Sequence, residues 1–227
     1  MRCALLALAG ILFVLAPAAP AQDVRAGLRL GRTSSTFGGG EAHFFITSNH
    51  FRHGVFERAS GIEGMGFLRL PVVASVGLQW EFGYGRRGAR QILANGARRD
   101  ELEYQFGYAQ TALLLRVAAV DGPRFGLGAH IGPYAGYMTS NSVAFEQMRF
   151  DGEVNAGTAD DLETLRDIDA GLILGADVTL SRWFVLDARF SFGFSDFVDA
   201  DRLNSFARSQ HSALRNTSFV LSAGIAI

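Results

Sequence analysis

The side chains that could do chemistry fall into three sets. His43, His50 and His53 share one polar stretch with Glu41 and Glu57, and imidazole with carboxylate is a metal-binding combination. Their scattered spacing fits no compact zinc pattern, so no metal is assigned. Asp160, Asp161, Glu163, Asp167 and Asp169 offer oxygen ligands suited to Ca²⁺, but without the spacing of a calcium-binding loop. They read as a solvated acidic loop running into a strand. His130, Ser191 and Asp187 supply a base, a hydroxyl nucleophile and an orienting acid, the trio that a lipid-modifying hydrolase would need. No G-x-S-x-G, phosphate-loop or zincin motif accompanies them, so no catalytic residue and no cofactor is assigned and no enzyme is expected.

Bulk properties narrow the class. With 21 Lys and Arg against 22 Asp and Glu the formal charge is −1, which gives no electrostatic footprint for nucleic acid. The composition is rich in glycine (27) and phenylalanine (19) and poor in proline (5), which favours closely packed strands over helices. The opening MRCALLALAGILFVLAPAAPAQ has a basic start at Arg2, an apolar run from Cys3 to Ala16 and the small-residue triplet Ala19-Pro20-Ala21. This is the pattern of a secretory signal peptide over residues 1–21, too short for a membrane helix, with a single domain over residues 22–227. Cys3 is the only cysteine, so the exported domain is expected to hold together without disulfides.

The elements that must position these residues announce themselves by a period of two. Between Val76 and Tyr84 the bulky residues Val76, Leu78, Trp80, Phe82 and Tyr84 alternate with Gly77, Gln79, Glu81 and Gly83. A carboxylate in the middle of an aromatic row requires a different medium on each side of the strand. The same alternation runs through Val24–Leu30, Asp167–Leu180, Phe184–Phe194 and Phe219–Ile227, and less tidily through Gly61–Leu70, Glu101–Val117 and Arg124–Met138. In Gly61–Leu70, Met65 and Phe67 fall on the wrong face. In Glu101–Val117 the apolar phase slips near Gln110, which a one-residue bulge would explain.

Eight strands result, and their connections alternate in kind. Residues 32–60, 86–100, 140–166 and 197–216 are long and polar, whereas 71–74, 118–123 and 180–182 are short. Antiparallel neighbours then place every long loop at one end and every short turn at the other, with both termini at the short-turn end. Short inner turns, longer outer loops and alternating strands of about ten residues are the signature of an outer-membrane barrel.

Several segments resemble the small outer-membrane β-barrel family, known as porin-family or outer-membrane β-barrel domain proteins. Val24–Gly31 is similar to that family's first strand, and Phe67-Leu68-Arg69-Leu70-Pro71-Val72 followed by Leu78-Gln79-Trp80-Glu81 to its second and third. Gly132-Pro133-Tyr134-Ala135-Gly136-Tyr137, Asp187–Gly193 and Arg215-Asn216 resemble later strands in the same order. Members usually end in Phe where this chain has Ile227. The resemblance implies location and architecture, and no reaction.

The expected fold is therefore all-β: an eight-stranded antiparallel up-and-down transmembrane β-barrel. Because bulky rows alternate with small or charged ones, and a narrow lumen holds only the latter, a polar lumen network is expected. It would comprise Arg25, Arg29, Arg69, Gln79, Glu81, Glu103, His130, Asp169, Asp177, Asp187 and Arg189. Trp80, Phe82, Leu172, Leu174, Phe190, Phe192, Leu221 and Ile225 would face lipid. Expected partners are outer-membrane lipids and the barrel-insertion machinery, with no nucleic acid, and an unidentified ligand for the external loops. Two other readings make distinct demands: a lipid-modifying enzyme needs Ser, His and carboxylate clustered at a barrel rim, and a soluble exported carrier of a small apolar ligand needs the bulky rows inside.

Overall fold

Alternation of bulky apolar with small or charged residues underlies eight of the nine strands in the computed structural model, which describes residues 24–38, 55–73, 75–95, 98–122, 124–149, 154–160, 165–196 and 214–227. They are β1 (Arg25–Gly38), β2 (Val55–Val73), β3 (Val76–Asn95), β4 (Arg98–Asp121), β5 (Phe125–Arg149), β6 (Val154–Asp160), β7 (Ile168–Leu180), β8 (Phe184–Gly193) and β9 (Arg215–Ala226). Every pairing is antiparallel, and β1, β2, β3, β4, β5, β7, β8 and β9 form a closed ring of eight. The seam runs from Gly27 opposite Ala226 to Gly38 opposite Arg215. Closure leaves no edge exposed to hydrocarbon, where an unsatisfied N–H or C=O costs several kcal/mol.

The ninth strand, β6, was not anticipated. It pairs with β5 from Ser142 opposite Asp160 to Met148 opposite Val154, within the third long connection. Much of the remaining sequence expected to be loop is also strand. β1 runs on to Gly38, β3 and β4 stay paired up to Asn95 opposite Arg98, and β5 continues to Arg149. These extensions are polar on the outside because they stand in water, so polarity alone does not distinguish them from loops. The three histidines of the first long connection, Glu41, Asp161, Glu163 and the presumed signal segment lie outside the described residues.

The walls are uneven. β4 has 24 residues and β5 has 25, against 10 in β8, whereas a tilted strand crosses a bilayer in about 9–11. On β4 even-numbered residues point inward along the described length, from Tyr104 to Leu114. What changes is which parity is apolar. Leu113, Leu115 and Val117 face outward in the lower part, whereas Tyr104, Phe106 and Tyr108 face inward above Gln110. The slip in the sequence is thus no bulge on β4. The strand keeps its phase while the surrounding medium changes from hydrocarbon to water. At this level the irregularity lies on β5, where Tyr108 pairs with Met138 and Gly107 with Ser140, leaving Thr139 extra; a second one near the short-turn end leaves Ala119 extra on β4, between Ala118 opposite Gly128 and Val120 opposite Leu127.

Large apolar residues cover the outside of the lower barrel. Trp80 is 50% exposed, Leu221 58% and Phe190 44%, whereas Asp177 and Arg189 are 1% and 2% exposed. This is the inverse of a water-soluble carrier, and the molecule is a transmembrane barrel. Trp183 at the β7–β8 turn and Tyr84 and Tyr137 toward the other end are exposed at the levels where amphipathic rings sit among headgroups.

Placing a charge on this outer face tests the assignment. Leu174→Arg should lower the free energy of folding into phospholipid vesicles by about 2–4 kcal/mol, the cost of arginine at the bilayer midplane. Denaturant titration of vesicle-refolded protein measures it, and a change within about 0.5 kcal/mol would contradict the orientation.

Candidate functional site

The barrel interior concentrates the chain's buried charges. Glu81 on β3 sits between Arg29 of β1, 2.7 Å away, and Arg189 of β8, 2.6 Å away. Asp187 joins the same two guanidiniums at 3.0 Å from Arg29 and 2.7 Å from Arg189. Gln79 accepts from Arg69 Nε and donates to Glu81, linking this cluster to a second one centred on Asp177. There Arg116 makes a bidentate pair with the Asp177 carboxylate at 2.7 and 2.8 Å, and Arg69 lies 3.3 Å from it. His130 stands between the two aspartates, 3.7 Å from Asp177 and 3.5 Å from Asp187.

Local sequence makes room for this. Gly175 is flanked in register by His130 on β5 and Arg189 on β8. A Cβ there would lie 2.8 Å from the Ala188 carbonyl oxygen and 2.9 Å from Arg189 Cβ, so the small residue admits the large neighbours. Phe67 explains why an aromatic occupies the inner row of β2: the Arg29 and Arg69 guanidiniums lie 5.3 and 5.0 Å from its ring centroid, in cation–π range.

Nearer the external end a further polar group is built on Arg87. Its Nη2 donates to Gln110 at 2.5 Å and its Nη1 lies 3.3 Å from Asp169, which also accepts from the Tyr134 hydroxyl at 3.0 Å. Gln110 in turn donates to Glu63 at 2.7 Å. Taken together, the five guanidiniums of Arg29, Arg69, Arg87, Arg116 and Arg189 face the five carboxylates of Glu63, Glu81, Asp169, Asp177 and Asp187. In the fully buried cluster of Arg29, Glu81, Asp187 and Arg189, removing one partner would leave an opposite charge short of its counter-charge.

Above this lies an apolar seal. Phe37, Tyr104, Phe106, Tyr108, Met138 and Val143 form a buried cluster with ring centroids 5.9 to 6.5 Å apart among Phe37, Tyr104 and Phe106. Tyr104 donates to Gln91 at 3.2 Å, and burial pushes its hydroxyl pKa up.

Arg29, Arg69, Gln79, Glu81, His130, Asp169, Asp177, Asp187 and Arg189 thus come together inside the ring. Arg25 also points inward but is half-exposed at the short-turn mouth. Glu103 requires correction: it faces outward, opposite Arg90, whose guanidinium is 4.0 Å away, and accepts from Gln105 at 3.0 Å. The cause is the inversion of apolar phase on β4, which makes the carboxylate row look like a lumen row when it stands in water. The same inversion hid Arg116, whose inward position follows once β4 is taken as continuous. Arg87, Glu63 and Gln110 were also missed, although Arg87 and Glu63 share the inward parity of Glu81 and Arg69. Trp80, Phe82, Leu174, Phe190, Phe192, Leu221 and Ile225 are exposed on the outer wall, and Leu172 is half-buried there among its neighbours. Ser191 is buried on the inner face of β8, and no group of three or more His, Cys, Asp or Glu able to hold a metal occurs among the described residues.

Comparison with known proteins gives a family. The sequence model of the outer membrane protein beta-barrel domain matches residues 20–199. Among solved structures the chain is similar to Ail, the attachment invasion locus protein of Yersinia pestis, at 12% identity and TM-score 0.37, covering 91% of this chain and 100% of that one. It is also similar to Neisserial surface protein A, at 9% identity and TM-score 0.45 over 90% and 99%. A third is the outer membrane protein OprG of Pseudomonas aeruginosa, at 11% and 0.38 over 89% and 95%. No curated protein matches the sequence.

The network makes a prediction about stability. Glu81→Gln leaves Arg29 and Arg189 short of a counter-charge and should cost about 3–5 kcal/mol in vesicle unfolding titrations. Glu103→Gln, on the solvated outer wall, should stay within about 0.5 kcal/mol of the parent. Equal effects of the two would show that the interior pairs are not the stabilising ones.

Proposed function

Because the chain belongs to the outer membrane protein beta-barrel domain family, we propose that it is a closed, non-catalytic barrel that acts through the wall it raises above the outer surface. The observation that carries this reading is the filled interior. Paired charges occupy the membrane section and a buried aromatic cluster caps it, so an eight-strand ring has no room for a diffusion channel. The role then falls to what projects. The ends of β3, β4 and β5, with β6, extend past the membrane as a paired sheet, with Arg90, Glu101, Glu103 and Gln105 on its outer side. A polar, charged sheet standing above a membrane suits contacts with other surface components through hydrogen bonds and ion pairs.

A catalytic role is disfavoured by the placement of the candidate trio. His130 and Asp187 are buried in the lumen, His130 beside Asp187 and Asp187 paired with Arg29 and Arg189, away from the lipid surface where a lipid substrate would lie. In the same reading residues 1–21 direct export, the insertion machinery receives the last strand, and lipids of the outer membrane contact Trp80, Phe82 and the other outward residues.

Two measurements test the proposal. Protein reconstituted into planar bilayers should give no stepwise conductance above the bare membrane, and stable channels of general-porin size would overturn the closed-barrel reading. Mass spectrometry of the barrel recovered from outer membranes should show a chain starting at Gln22; retention of residues 1–21 would contradict cleavage after Ala21.

A further inference from the structure

The charge balance of the interior is not uniform along the axis. At the short-turn end a cavity of about 300 Å³ opens between the β2–β3 hairpin, the β4–β5 connection and the start of β1. Arg25, Arg69, Arg116 and Arg182 line it, with Asp121 as the lining carboxylate. Asp177 lies behind, already shared between Arg69 and Arg116. Four guanidiniums therefore meet two carboxylates.

Two further observations point to a missing anion. Arg25 and Arg69 are direct cross-strand partners, an arrangement in which like charges repel, and no carboxylate pairs with Arg25 among the described residues. In addition, Thr179 Oγ1 is a buried atom of the cavity wall that makes no hydrogen bond, and the partner of Arg69 Nη2 is the already shared Asp177 carboxylate, 3.3 Å away. Arg69 and Thr179 are 8% and 5% exposed, so these are donors built into the structure, not surface side chains in free water. A buried hydroxyl left unused costs free energy, which a bound acceptor would recover. Arg182 is held at the rim by the β7–β8 turn, where Ser181 and Arg182 take positive φ values of 51° and 63°.

We propose that this mouth is a phosphate-binding vestibule, in which Arg25, Arg69, Arg116 and Arg182 converge on one phosphoryl oxyanion and Thr179 donates to it. Guanidinium forks match phosphate oxygens in bidentate fashion, and a cavity at the small end of the ligand-pocket range accommodates a phosphate with a short substituent. The vestibule lies at the short-turn end, which in an outer-membrane barrel faces the periplasm. Its phosphate can come from solution or from a phospholipid headgroup of the adjacent leaflet. The site is separate from the external wall and does not depend on what that wall contacts.

Calorimetric titration of the folded chain in dodecyl maltoside, which carries neither charge nor phosphate, tests the proposal. Sodium phosphate and, separately, dihexanoyl phosphatidylglycerol below its micelle concentration are added at constant ionic strength. We expect saturable one-to-one binding of at least one of them, weakened about tenfold by Arg25→Gln and by Arg182→Gln, the loss of roughly one charge-assisted hydrogen bond. Thr179→Val should also weaken it, and Arg90→Gln, on the external wall, should not. Both mouth arginines lie outside the ion pairs of the lumen, and heat-modifiable gel migration verifies that each variant is folded. Binding of free phosphate, with competition by the lipid, identifies a soluble anion as sufficient; binding of the lipid alone identifies the headgroup. Unsaturable heats with both probes, or saturable binding that neither mouth variant weakens, would overturn the proposal.

Discussion

Hydrocarbon offers no hydrogen-bond partner, and the rest of this structure follows from that. A chain crossing it with strands must close them into a ring, and the first and last strands do so between Gly27 and Gly38 on β1 and Arg215 and Ala226 on β9. Closure forces one face of every strand outward into lipid and the other into a narrow centre. Charged side chains can then exist at membrane depth only in that centre, and only with partners. The network that joins five arginines with five carboxylates, partly through Gln79 and Gln110, is the consequence, with His130 standing between Asp177 and Asp187.

The boundary of the hydrocarbon is written on β4 as a change of apolar parity. Below Gln110 the strand presents leucines outward, and above it tyrosine and phenylalanine turn inward. Once water replaces lipid outside, the ordinary logic of a soluble sheet returns: apolar residues pack within, and the outer row becomes Glu101, Glu103 and Gln105. β5 accommodates the transition by its extra residue at Thr139, while β4 keeps its register with β3 across it. A single strand thus obeys two solvents in succession without altering its backbone phase.

That double rule decides what was legible in the sequence. Architecture was readable because the ring strands have a stretch within lipid where bulky and small residues alternate, cleanly in β1, β3, β7, β8 and β9 and less so in the other three. The inward direction of Glu81 and Arg189 follows from their place among aromatics. Glu103 misled because it sits beyond the transition, and Arg116 was overlooked because assuming a bulge obscured the parity of its strand. Met65 and Phe67 seemed misplaced because the centre was taken to admit only small or polar groups. In fact Phe67 provides the ring over which Arg29 and Arg69 lie. Which carboxylate meets which guanidinium could not be read at all, since the meetings join strands distant in sequence, such as Glu81 and Arg189, and depend on the shear of the closed ring. β6 was hidden for another reason: its residues Val154-Asn155-Ala156-Gly157-Thr158 have little alternation and are defined by their pairing with β5.

Along its axis the interior passes through three electrostatic regimes. The external end is apolar and sealed by Phe37, Tyr104 and Phe106. The middle carries both signs: Glu81 and Asp187 are bridged by Arg29 and Arg189, and Asp169 and Glu63 are reached from Arg87 and Gln110. The short-turn end is cationic, because Arg69 and Arg116 draw on one carboxylate and Arg25 stands opposite Arg69 in register. A barrel optimised only for stability has no reason to gather arginines at one mouth, where they repel each other beside the unpartnered Thr179 hydroxyl. Moving a carboxylate to the position opposite Arg69 would relieve the repulsion with one substitution on β1. The cationic mouth is therefore best understood as a feature whose counter-charge comes from outside the chain, in contrast to the middle of the barrel, where the chain supplies both signs itself.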